Sequence, residues 1–176
     1  MSDRPMSDIG PARVLELLRR RGWTIAVAES LTGGLVVSSL VTVPGASASL
    51  RGGVVAYDSA VKRTLLGVDA GLLAAQGAVH PEVARQMAAG VRAAMTVDGC
   101  PADVGVSTTG IAGPDSPDGQ PVGTVHVAVL TPETATTSSF VLPGDRDAIR
   151  RGAATHALQA VADALSVPGA HPVTGV

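Results

Sequence analysis

The sequence predicts a layered α/β/α domain with a mixed, mostly parallel sheet that includes an antiparallel strand pair. Three observations carry this prediction. Short β-branched runs alternate with helix-period segments, two strand-like runs then follow each other directly, and a long helix-period segment closes the chain. At 176 residues the chain has the size of one domain. That domain is expected over residues 11–165, between flexible ends at 1–10 and 166–176 that are polar or rich in Pro and Gly.

The elements follow in order. Pro11 opens "PARVLELLRRRG", a helix with Val14, Leu17 and Leu18 on one face and Gly22 as its stop. "WTIAVAES" is a strand running into a polar loop, and "TGGLVVSSLVTV" a helix with a glycine-rich first turn, closed by "PGAS". "GGVVAY" reads as a buried strand. "DSAVKRTLLG" is a short helix with Asp58 or Ser59 as N-cap and Gly67 as stop. "AGLLAAQG" is another short helix, and Pro81 starts a longer one with Val83, Met87, Val91 and Met95 at helical spacing. "ADVGVSTTG" and "VGTVHVAVLT" are strands around the loop "IAGPDSPDGQP"; "TATTSSFVL" is a third strand, and "DRDAIRRGAATHALQAVADAL" the closing helix.

Composition narrows the function. Hydrophobic residues make up 45% of the chain but aromatics only 2%, so the core is built from small aliphatic side chains. No apolar run approaches the ~18 residues of a membrane span. With a net charge of -2 and no basic cluster beyond Arg19–Arg21, the chain lacks the footprint of a nucleic-acid surface. The single Cys100 excludes an intrachain disulfide and a thiolate metal cluster. The first ten residues lack the apolar stretch of a signal peptide, so the expectation is a soluble cytoplasmic protein without metal or cofactor.

Three polar loops follow strands, where ligands gather in open α/β sheets. "AESLTGGL" sets two glycines at a helix start, where backbone N–H groups can approach an anion, although it matches neither a Walker A motif nor GxGxxG. "STTGIAGPDSPDGQPVGT" is longer than a connection requires and begins with hydroxyls and glycines. The third, "YDSAVK", holds the only tyrosine and the only lysine; the other twelve cationic residues are arginines. A lysine early in a helix is poorly placed for stability, because the helix dipole repels an ammonium by ~0.3–1 kcal/mol. That repulsion, with partial burial, lowers the amine's pKa toward a usable base, which arginine cannot provide. Two serines compete as the nucleophile for Lys62. Ser59 makes a literal S-x-x-K, but the β-lactamase pattern also needs K-T-G, and there is no second lysine; Ser59 is more simply a helix cap. Ser47 lies in the turn before the strand that ends at Tyr57.

"AESLTGG", "PGASA", "GGVVAYDSAVKRTLLGV", "GAVHPEVARQMA", "TTGIAGPDSPDGQPVGTV" and "LPGDRDAIRRGA" stand in an order that resembles the CinA C-terminal domain family, over nearly the whole domain. Its members include stand-alone nicotinamide-nucleotide amidohydrolases of the PncC type, and its longer members carry an additional N-terminal domain. The resemblance implies metal-free hydrolysis of the carboxamide of nicotinamide mononucleotide, giving nicotinate mononucleotide and ammonia, and a homo-oligomer. It implies Ser47 as nucleophile, Lys62 as base and Tyr57 as proton relay. Substrate would be held by Glu29, Thr32, Gly33 and Gly34, by Thr109, Gly110, Ala112 and Gly113, and at its anionic end by Arg146. The Thr109 hydroxyl is a candidate oxyanion donor. The chain departs from the family's pattern at Leu31, where cysteine is usual, at Ser59 and Ala60, at Gln120, and at His80, which reads as an N-cap. The alternative reading is a nucleotide-binding or regulatory module that keeps the pocket without turnover.

Overall fold

The computed structural model describes residues 9–116 and 119–166. The ends expected to be flexible fall almost wholly outside the described residues.

Helix α1 (Pro11–Arg21) begins with Pro at its first turn and stops at Gly22, whose left-handed φ of 65° releases the chain toward the sheet. Strand β1 (Ile25–Glu29) is buried along its whole length. Helix α2 (Leu35–Val41) starts after the two glycines rather than on them. Gly33 and Gly34 have φ of 59° and 103°, so they turn the chain into the helix instead of forming its first turn. A 3-10 turn (Ala46–Ala48) leads into β2 (Leu50–Val55). Helices α3 (Ser59–Leu66), α4 (Ala70–Gln76) and α5 (Pro81–Ala94) follow, then β3 (Val104–Gly110), β4 (Thr124–Leu130), β5 (Ala135–Val141) and α6 (Arg146–Ser166). Asp58 caps α3 by accepting from the Ala60 N–H, and His80 Nδ1 caps α5 by accepting from the Glu82 N–H at 3.2 Å.

The sheet order is β2-β1-β3-β4-β5. β1 pairs in parallel with both β2 and β3, and β3–β4–β5 form an antiparallel meander, so the mixed sheet has two pairings of each kind. The expectation that β2 is buried is corrected: it is an edge strand, and Val55 is 50% exposed. Hydrophobicity alone does not distinguish an edge strand rich in Gly and Val from a central one.

Strand alternation divides the core into two layers. Ile25, Val27, Val104, Val106 and the β4 valines face α1, α2 and α6. Ala26 and Ala28 face α3 and α5. The second face is lined by small residues because α5 lies very close to it: a Cβ at Gly105 would sit 2.1 Å from the Ala88 carbonyl oxygen. Ser107 Oγ donates to the Ala84 carbonyl at 2.6 Å across the same contact. Because β1 lies between β2 and β3, the connections leave it on opposite sides. A crevice therefore opens at the carboxyl ends of these three strands.

Candidate active site

The crevice is a cleft of about 440 Å³ bounded by the residues that follow β1, β2 and β3. Lys62 stands one turn into α3 and is only 1% exposed. Its Nζ donates to the Ala56 carbonyl at 2.7 Å, the Tyr57 carbonyl at 3.3 Å and Ser30 Oγ at 3.1 Å. Burial pushes the amine down to about 8, against the opposing pull of the Asp58 carboxylate. A lysine in this state can give up its proton close to neutral pH while facing a serine hydroxyl.

That serine is Ser30, which the sequence reading did not select. In the parallel pairing of β1 with β2, Glu29 lies opposite Val55, so the next residues, Ser30 and Ala56, emerge level with each other. Ser47 is not brought to Lys62. It precedes β2, whose six residues span about 20 Å at the usual rise, and it lines a separate cleft with Val37, Leu50 and Arg51. The signal that could have found Ser30 is topological: it ends "AES" at the carboxyl edge of one strand, as Tyr57 follows the carboxyl edge of its neighbour. Ser59 also lines the cleft, at the first residue of α3, while Asp58 does the capping.

Tyr57 contributes differently from expectation. Its backbone carbonyl holds Lys62, but its phenol is 62% exposed as part of the residue and accepts from an Arg146 N–H at 3.0 Å. Arg146 also donates to the Gly113 carbonyl at 2.7 Å, so its guanidinium ties the loops after β2 and β3 together beside the cleft. Thr109, Gly110, Ala112 and Gly113 line the cleft. The Thr109 hydroxyl, however, donates to the Ala78 carbonyl at 2.7 Å, fixing the opposite wall rather than pointing free. Gln120 Nε2 donates to the Val79 carbonyl and braces the same wall.

The first glycine loop does not line the cleft beyond Ser30 and Leu31. Glu29 is fully buried, and its carboxylate accepts the N–H groups of Gly34, Val36 and Val37 at the start of α2. Thr32 Oγ1 pairs with Thr108 Oγ1 at 2.7 Å, and Arg150 approaches Gly33 from α6. Glu29, Thr32, Gly33 and Gly34 therefore build the turn that presents Ser30, and the expectation that they hold substrate is corrected. Leu31, Leu73, Val79 and Ile111 give the cleft an apolar wall, and Asp115 adds a carboxylate. Among the described residues no group of His, Cys, Asp and Glu could hold a metal ion. No helix among them is long and apolar enough to cross a membrane.

A family model described as the CinA C-terminal domain matches residues 10–165. The chain belongs to the CinA C-terminal domain family. Within this family it is 51% identical over 148 residues to a CinA-like protein of Frankia casuarinae, covering 84% of this chain and 33% of that protein. A CinA-like protein of Anaeromyxobacter dehalogenans is 49% identical over 157 residues, 88% of this chain and 37% of the relative. The chain thus spans about a third of the length of these curated relatives. Among solved structures, competence damage-inducible protein A of Klebsiella pneumoniae superposes with a TM-score of 0.83 at 32% identity, covering 89% of this chain and 95% of that one. A competence/damage inducible protein of Agrobacterium tumefaciens superposes at 0.81 with 33% identity, covering 94% and 99%. The mixed five-stranded α/β fold is that of the CinA superfamily structures.

Proposed function

We propose that this CinA-family domain is a Ser–Lys amidohydrolase that converts the carboxamide of nicotinamide mononucleotide to a carboxylate, releasing ammonia. The observation that supports it most is the buried Lys62 amine, bound by two backbone carbonyls and Ser30 Oγ. A neutral amine has two N–H bonds and one lone pair. The Ala56 and Tyr57 carbonyls take the two N–H bonds, which leaves the lone pair for the Ser30 hydroxyl. The choice of nicotinamide mononucleotide as substrate follows from the family resemblance.

In the proposed reaction Nζ takes the Ser30 proton while Oγ bonds to the carboxamide carbon, and the carbonyl π pair moves onto oxygen. When the C=O re-forms, the C–N bond breaks, and the Lys62 ammonium gives its proton to the departing nitrogen, which leaves as ammonia. Water then attacks the Ser30 ester and yields a proton to Nζ. Loss of the acid returns that proton to Oγ. The Arg146 guanidinium and Tyr57 hydroxyl are assigned to the substrate's phosphate, and the wall of Leu31, Leu73, Val79 and Ile111 to its ring. Gly110, Ala112 and Gly113 let the backbone approach the ribose.

Ammonia release from nicotinamide mononucleotide by the purified chain tests the proposal. Ser30→Ala and Lys62→Met are each expected to abolish it while the protein stays folded. Binding of the mononucleotide without any ammonia would instead assign a nucleotide-binding or regulatory role. Self-association is proposed as well, supported by the half-exposed β2 edge with Val55 and by Val41, 62% exposed. Sedimentation velocity that returns only monomer would reject it.

A further inference from the structure

We propose that Arg150, on the opposite side of the sheet from Lys62, is a positioning residue that sets the Ser30 hydroxyl for attack; this rests on the Ser30–Lys62 reading above. Ser30 opens a tight turn closed by the Gly33 N–H donating to the Ser30 carbonyl at 3.1 Å. The two peptide carbonyls inside that turn, of Leu31 and Thr32, both accept from one guanidinium: Arg150 Nε at 2.9 Å and an Arg150 terminal N–H at 3.0 Å. Consecutive carbonyls received by one rigid planar fork fix the rotation of two peptide planes at once. A lysine ammonium could reach both oxygens, but as a single point on a flexible stem it would not fix the rotation of either peptide plane.

Other bonds hold the turn at its two ends and at Thr32, whose hydroxyl pairs with Thr108 Oγ1 at 2.7 Å and whose carbonyl also accepts from the Leu35 N–H at 3.3 Å; the Arg150 fork adds the bond to the Leu31 carbonyl, next to Ser30. Glu29 anchors its far end by accepting from Gly34, and Ser30 N–H donates to the Thr108 carbonyl at its near end. Between those anchors the chain runs through Leu31, Thr32 and Gly33, and Gly33 has the backbone freedom to let it swing. Arg150 also packs against Gly33 so closely that a Cβ there would stand 3.2 Å from its guanidinium nitrogen. Arg150 does not line the cleft, so it acts on the reaction through Ser30 and not through substrate.

The test uses the full chain, an alkylsulfonyl fluoride as a serine-directed label, and the variants Arg150→Met and Arg150→Lys. The wild type is expected to take one label, on Ser30. Arg150→Met is expected to reach the same final extent of labelling at a rate roughly 100-fold lower, the cost of a nucleophile displaced by about 1 Å. Its kcat for ammonia release falls in parallel, KM stays unchanged, and the pH midpoint of labelling stays that of Lys62. Arg150→Lys falls between the two, and added methylguanidine restores part of the rate to Arg150→Met. A variant that labels at the wild-type rate overturns the inference. So does a loss of labelled fraction that tracks the loss of activity, because that reports unfolding rather than misplacement; Arg150→Lys, which keeps charge and bulk, decides the case if Arg150→Met does not fold. Label on a serine other than Ser30 overturns the Ser30–Lys62 reading itself.

Discussion

Two glycine-containing loops follow central strands of the same sheet, and they are used in opposite ways. The loop after β1 is occupied by its own protein: Glu29 takes the amides at the start of α2, Thr32 pairs with Thr108, and Arg150 takes two carbonyls. The loop after β3 turns its backbone to the cleft through Gly110, Ala112 and Gly113. Glycine at a strand end signals only that the backbone must turn or be approached closely. Whether the thing approaching is a ligand or another part of the chain depends on which polar side chains converge there. In the proposed reaction the first loop presents the nucleophile, and the second forms a wall for substrate.

The sharpest way to break this contrast is at Ser30. Ser30→Ala and Lys62→Met are expected to lower ammonia release by roughly 10³-fold or more, whereas Ser47→Ala, at the other end of β2, leaves it unchanged. A Ser47→Ala variant without activity would return the nucleophile to that turn. Next in size is Glu29→Gln. An amide cannot accept at both of its ends, so at least one of the three hydrogen bonds from backbone N–H groups is lost, at a cost of roughly 1–3 kcal/mol. Thermal unfolding should show that loss, while KM of the folded fraction is unaffected.

The lysine makes a prediction about pH in both rate and stability. Lys62 sits at about 8 in the folded chain against a reference of 10.5. Below pH 8 both folded and unfolded chains hold the proton, and the cost of burying the ammonium is fully present. Between about 8 and 10.5 the unfolded chain binds more protons than the folded one, so stability rises with pH, by up to about 3 kcal/mol. Lys62→Met is expected to remove this rise of stability with pH. Ammonia release should climb through a midpoint near 8 as the amine becomes neutral. A stability curve for the variant parallel to wild type would remove Lys62 as its source. The smallest effect is expected where Arg146, at the start of α6, meets the substrate-facing loop: Arg146→Met should raise KM for the mononucleotide roughly 10-fold with kcat unchanged.

Much of the chain was legible before folding. Pro11 and Gly22, Asp58 and Gly67, and Pro81 with His80 mark helix ends through local backbone chemistry, which acts over a few residues and survives in any tertiary context. The oddity of Lys62 was equally visible, since it depends only on counting. The misreadings concern partners distant in sequence. Glu29 and Thr32 looked like ligand contacts because their true partners, the α2 amides and Thr108, are identified only by folding. β2 looked buried because its composition does not record that nothing pairs beyond it.

By itself, then, the amino-acid order determined the succession of helices and strands, the family to which the domain belongs, and the one amine that burial could turn into a base. Only the tertiary structure decided which hydroxyl that amine faces. Parallel strands align their carboxyl ends, so the pairing of β1 with β2 sets Ser30 beside Ala56 and hence beside Lys62, 32 residues away. Ser47 is nearer in sequence, but the extended strand between it and Tyr57 carries it to the opposite, amino end of the strands.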